Sequence, residues 1–206
     1  FLKREGEHFL GYVGQDSFQS GVLAARLLDF GIDNGDAVMI LHLEKGVYNS
    51  QHLIEKEEGF HQYFVARLNR NIQVIKTSFE NPADTTAFRK FIKHQLQSYP
   101  QLKGIFVTTS KLYHLAGVLE KLKIEKLKLV GFDLVDENLH YLRDGKIDFL
   151  INQNPVRQGY LGIMNIFDRL VNDKPVEAIQ HLPLHVIMKE NVNYYLEDKM
   201  VVPTLL

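Results

Sequence analysis

Polar residues follow apolar runs at six points in the chain: Gln15–Asp16, Glu44–Lys45, Phe79–Glu80, Thr108–Thr109–Ser110, Asp133 and Gln153–Asn154. Most of these groups donate or accept hydrogen bonds, so they suit a polar ligand. A nucleotide would call for a Gly-rich phosphate loop, and neither G-x-G-x-x-G nor G-x-x-x-x-G-K-[ST] occurs. Catalysis is not expected. Glu57, Glu58 and His61 fall on one amphipathic stretch with no nucleophile and supporting base at recognisable spacing. Ser17 and Ser110 lack the G-x-S-x-G elbow. His181 and His185 in HLPLH have a helical metal-site spacing, but Pro183 and the alternating apolar residues predict a strand, so neither a metal nor a cofactor is expected.

The segments that would position these residues alternate in type. DAVMILHL (36–43), NIQVIKTSF (71–79), GIFVTT (104–109), KLKLVGFD (126–133) and IDFLINQ (147–153) read as buried strands. Between them, Leu53, Phe60, Phe64 and Leu68 recur at helical spacing in 52–68. Asp84 is placed to cap a helix that must stop at Tyr99, before Pro100. Further helices follow at 111–123 and around DENLHYLRDG, where Asp136 and Glu137 supply a negative first turn and Gly145 the stop. Pro155 opens a long helix in a favourable early position. QHLPLHVIMKENV reads as one late strand. Such alternation predicts an α/β fold, a mostly parallel sheet with helices on both faces, and ligands gather at the carboxyl ends of its strands.

Composition excludes several classes. The 206 residues are 45% hydrophobic and 24% charged, so a packed core is expected. The net charge of −1 offers no basic surplus for nucleic acid, and the lysines of KLKIEKLKL read as a solvated helix end entering a strand. The absence of cysteine removes disulfides and thiolate chemistry. No apolar run reaches the ~20 residues of a membrane span, so no membrane partner is expected.

The frame VGQDSFQSGVLAARLL, EEGFHQYF, GIFVTTSKLYHLAGVL and LVGFDLVDENLHYLRDGKIDFLINQNPVRQGYLGI resembles the effector-binding domain of LacI-type transcriptional regulators, from about Leu10 to about Asn191. The same fold serves periplasmic sugar-binding proteins. The resemblance implies a type I periplasmic-binding-protein-like sandwich of two lobes joined by three crossovers, at Tyr12–Gly14, near Gln153 and near Leu182. One lobe, 15–152 plus 183–200, would be complete. The other would be partial, represented by 1–14 and 153–182. The ligand between the lobes would be a small effector, a carbohydrate. Asp133 and Gln153 match the family's ligand-facing carboxylate and amide. Asp16 lies at the cleft mouth, where it either meets ligand or caps the next helix. Tyr12 on the hinge and Phe79 are the candidate aromatic faces.

Two departures stand out. Ile54 occupies the place where the family commonly has arginine, with Asn49, Gln51 or His52 as candidates to replace it. Thr109 and Ser110 stand where the family commonly has asparagine or aspartate. The function implied is an effector sensor in the cytoplasm, homodimeric, reaching DNA only through a helix-turn-helix outside this chain. The alternative is a periplasmic sugar-binding protein of an uptake system.

Overall fold

The computed structural model describes residues 10–46, 50–67 and 70–197. Asn49 and Leu68 lie outside them, as do 1–9 and 198–200 of the expected lobes. The chain begins with a short strand β1 (Tyr12–Gly14), then α1 (Ser17–Asp29), β2 (Ala37–His42), α2 (Gln51–Val65), β3 (Gln73–Ser78), α3 (Thr85–Ser98) and β4 (Leu102–Val107). It continues with α4 (Leu112–Lys121), β5 (Lys128–Phe132), α5 (Asp136–Arg143), β6 (Phe149–Asn152), α6 (Pro155–Leu170), β7 (Ile179–His181), β8 (His185–Ile187) and α7 (Val192–Glu197).

Local chemistry sets the helix ends. Asp16 accepts from the Gln19 amide at 2.9 Å and Asp84 from the Ala87 amide at 3.0 Å. Asn154 sits at φ +49° and accepts from the Arg157 amide at 3.1 Å, with Pro155 opening the first turn. Each cap satisfies an amide that the helix itself cannot.

Six strands form one sheet in the order β3-β2-β4-β5-β6-β8, parallel except for β8, which runs antiparallel to β6. The two-residue period of the strands separates two cores. Met39, Leu41, Ile105, Val107, Leu129 and Leu150 pack toward α3, α4, α5 and α7. Val38, Ile40, Phe106, Val130, Phe132 and Ile151 pack toward α1 and α2. Phe60 of α2 stacks on Phe106 with centroids 5.1 Å apart. The chain is therefore an α/β fold, a mostly parallel sheet with helices packed on both faces.

The single late strand expected across QHLPLHVIMKENV is corrected. It is two strands in two sheets: β7 pairs in parallel with β1, and β8 pairs with β6. Pro183 lies between them. It has no N–H to continue a ladder, so the backbone changes partner there while the apolar alternation runs on. Beside β1, α6 has no fully buried residue and exposes an apolar stripe of Val156, Tyr160, Ile163, Phe167 and Leu170, the last 78% exposed.

Candidate functional site

The parallel sheet brings the expected polar residues to one end. Asp133 follows β5 and Gln153 follows β6, and these strands are neighbours, with Phe132 opposite Ile151. The Gln153 Nε2 donates to both carboxylate oxygens of Asp133, each at 2.9 Å. Asp133 does not cap the next helix, since Val135 holds that position. Its φ of +67° turns the side chain away from the strand path, a conformation Asp and Asn tolerate better than most residues. Burial pushes the Asp133 carboxyl above 3.8, while the Gln153 hydrogen bond and Lys56 pull it back.

Asn138 holds this turn in place. It is 0% exposed, and its Nδ2 donates to the carbonyls of Ser110, Phe132 and Asp133 at 2.9, 3.0 and 3.1 Å. Its Oδ1 accepts from the Tyr113 amide at 2.9 Å. One side chain thus joins the loops after β4 and β5. Asn138→Ala leaves these buried groups unpaired, and we expect a loss of about 2–4 kcal/mol in urea unfolding. A loss below about 1 kcal/mol would show that the loops hold without it.

Lys56 is the component that the sequence reading missed. It is 3% exposed, with Nζ 3.5 Å from the centroid of the Phe132 ring and 3.4 Å from the Thr108 carbonyl oxygen. Burial lowers its pKa to about 8, against the pull of Asp133. The available signal was its place on the apolar stripe of α2, three residues after Leu53 and four before Phe60. His42 was missed as well. It is 1% exposed and bridges Thr108 Oγ1 at 2.9 Å and Glu57 Oε2 at 3.1 Å, and Glu57 also takes Lys76 at 2.6 Å. Burial holds the His42 imidazole below 6.5, opposed by Glu57. Hydroxyl, imidazole and carboxylate stand in the order of a nucleophilic triad. Thr108 is 0% exposed, however, so no substrate reaches its oxygen and the trio links β2, β4 and α2 instead.

The remaining candidates divide. Asp16 spends Oδ1 on the α1 cap. The Tyr12 hydroxyl donates to the Gln15 carbonyl at 2.7 Å, and its ring stands edge-on to His181 with centroids 6.1 Å apart. Gln15 is buried between them and the sheet. Its Nε2 donates to the Asn152 carbonyl at 3.1 Å, tying the β1–α1 turn to the end of β6, while its buried Oε1 has no partner. Thr109 is half-buried, with Oγ1 3.4 Å from the Lys111 amide that donates to it. His52 lies one turn before Lys56; burial, then that lysine's charge, lower its pKa to about 4. Phe79 does not stand with these groups. Its ring packs on Phe88 and Phe91 at 5.1 and 5.0 Å, because the apolar face of α3 covers the end of β3.

A separate groove of about 640 Å³ between α3, α4 and α5 contains none of these candidates. Among the described residues, no three His, Asp or Glu side chains are grouped to hold a metal, and no helix is long and apolar enough to cross a membrane.

Comparison with known proteins agrees with this fold. A family model described as a periplasmic binding protein domain matches residues 6–174. The xylose/arabinose-binding protein XylF of Sulfolobus acidocaldarius is 26% identical over 80% of this chain and 40% of its own length. The ribose import binding protein RbsB of Haemophilus influenzae is 25% identical over 86% of this chain and 58% of its own. The chain thus spans about half the length of the curated relatives it matches. A crystal structure assigned to the LacI transcriptional regulators, from Bacteroides fragilis, superposes with a TM-score of 0.79 at 29% identity, over 90% of this chain and 64% of that one.

Proposed function

The chain belongs to the family of periplasmic binding protein domains, and we propose that it binds a sugar at the carboxyl ends of its strands as the binding component of an uptake system. The Asp133–Gln153 pair carries this reading. A carboxylate accepts two hydroxyl hydrogen bonds, and an amide beside it donates and accepts, which suits adjacent hydroxyls on a ring. The relatives named for xylose, arabinose and ribose support a sugar, and they favour uptake over the effector-sensing role first expected. In this reading 15–152 and 183–200 make one lobe, while 1–14 and 153–182 belong to the other. The exposed stripe of α6 is then the surface on which the rest of that second lobe packs. Closure of two lobes over a sugar would bring Tyr12 to its C–H face.

The Bacteroides likeness supports a second reading, the effector domain of a LacI-type repressor. Homodimerisation, a cytoplasmic location and DNA contact through a separate helix-turn-helix go with that alternative. The test is the melting temperature of the natural full-length polypeptide with xylose, arabinose and ribose. A sugar at ~100 times its Kd should add about 2.7 kcal/mol of stability. No shift from any of the three would sink the sugar reading. A DNA affinity that changes with the bound sugar would select the repressor over the uptake protein.

A further inference from the structure

We propose that His42 is a proton-operated clasp that pins α2 to the carboxyl ends of β2 and β4: with one ring proton it satisfies both neighbours, and a second proton releases α2. The clasp needs no ligand, so it stands apart from the sugar reading. The His42 ring ends β2 and is 1% exposed. Its Nε2 meets Glu57 Oε2 of α2 at 3.1 Å, and its Nδ1 meets Thr108 Oγ1, just past β4, at 2.9 Å. A carboxylate only accepts, so Nε2 carries the hydrogen and donates. Nδ1 then holds a lone pair, and the Thr108 hydroxyl donates to it. A second ring proton reverses the Thr108 bond. Nδ1 becomes a donor, and the hydroxyl, which is 0% exposed, must turn its hydrogen away from the ring. The neutral ring therefore matches its site, and the imidazolium does not.

The groups that face His42 set the balance between the two forms. From α2, Glu57 is the carboxylate in contact, and Lys56 beside it points to the Thr108 carbonyl. From β3, Lys76 binds the other Glu57 oxygen at 2.6 Å, and Ser78, opposite His42 in the ladder, is uncharged. β4 leads into the uncharged Thr108. Two residues past His42, Glu44 lies 3.9 Å from Lys111. Burial lowers the His42 pKa, Glu57 pulls it up, Lys76 lowers it again, and burial prevails. When α2 lifts and water reaches the ring, the proton binds at about 6.5. α2 is therefore fully held above about pH 6.5, and the hold is lost as pH falls toward the midpoint of the closed form. The lifted form gains ~10-fold in population for each unit between the two midpoints.

The experiment reads the His42 ring nitrogens by ¹H–¹⁵N NMR, and the hydrogen-exchange protection of the α2 and β5 amides, from about pH 7 to about pH 4.5. His52→Gln is the common background, because His52 is a second α2 ring whose pKa burial lowers. At neutral pH, Nε2 should bear the hydrogen and Nδ1 should not. The ring midpoint should lie below 6.5. Protection of α2 should fall ~10-fold for each unit of that gap, while β5 keeps its own. His42→Gln, whose amide takes no proton, should remove the acid loss. Where that variant fails to fold, the protein with His42 intact still decides, since its midpoint and its protection must agree. A hydrogen on Nδ1 at neutral pH, a midpoint at or above 6.5, or α2 protection that stays level while the ring titrates overturns the clasp. So does an equal loss across β5, or an acid loss that persists in His42→Gln.

Discussion

Asp133→Asn is expected to lower sugar affinity by about 10- to 150-fold while leaving the unliganded protein at least as stable as wild type. The affinity loss follows from exchanging a charged acceptor for a neutral one, since hydrogen bonds to charged groups are worth about 1.5–3 kcal/mol. The stability result follows from the direction of the Asp133 shift. Its folded pKa lies above the unfolded value because burial outweighs Gln153 and Lys56. The folded state therefore favours the protonated form. Its advantage is complete below pH 3.8 and is lost as pH rises through the folded value. At neutral pH the carboxylate is a net cost to folding, and the attraction of Lys56 is already counted within that balance. Asparagine removes the charge, keeps an acceptor for Gln153 and tolerates the positive φ. Calorimetric titration with the sugar that binds the wild type, together with thermal unfolding at pH 7, checks both halves. Retained affinity would remove Asp133 from the site. A melting temperature several degrees lower would make it a structural residue.

Gly59→Ala and Gly21→Ala should each destabilise by about 3 kcal/mol or more, against the gain of about 1 kcal/mol that the same change brings in an ordinary helix. α1 and α2 cross at these glycines. A Cβ on Gly59 would lie 2.0 Å from the Phe18 carbonyl oxygen, and one on Gly21 would lie 1.9 Å from that of Lys56. Both obstacles are backbone, so no side-chain rotation relieves them and the helices must separate. Separation unloads Phe60 from Phe106 and withdraws Lys56 and Glu57 from the sheet. The proposed sugar site should weaken with the fold. The control is Gly159→Ala on α6, where nothing lies within 4 Å of the added Cβ and stability should stay level or rise. Differential scanning calorimetry of the three variants decides the point, and a Gly59→Ala protein melting at or above the wild type would falsify the close crossing. Measured stabilities of single domains are about 5–15 kcal/mol, so a 3 kcal/mol loss should be plain in the trace.

Most of the frame was legible in the chain itself. Hydrophobic period, together with Asp84, Pro100, Gly145 and Pro155, placed the elements from β2 to α6 to within a few residues because those signals act over one or two turns. The alternation of strand and helix implied the parallel sheet, and resemblance placed Asp133 and Gln153 at its carboxyl end. The contact between their side chains needed β5 and β6 to be neighbours in register, which no local pattern states. The partner change at Pro183 was hidden for a related reason: the two-residue period records which face a side chain takes, but not which strand pairs beside it. Phe79 was a candidate aromatic face for the ligand, and its packing on Phe88 and Phe91 of α3 depends on how α3 lies over the end of β3, which no local pattern states. Lys56, His42 and Asn138 were the harder cases. As residue types they signify surface, a cap or a turn, and what buries them is distant in sequence: Thr108 for Lys56 and His42, and Ser110 for Asn138. The amino-acid sequence by itself determined most of the elements, the mostly parallel character of the sheet and the polar strand ends, all products of short-range spacing. Only the tertiary structure decided which charges are buried and what compensates them, because desolvation depends on every element packed around a group.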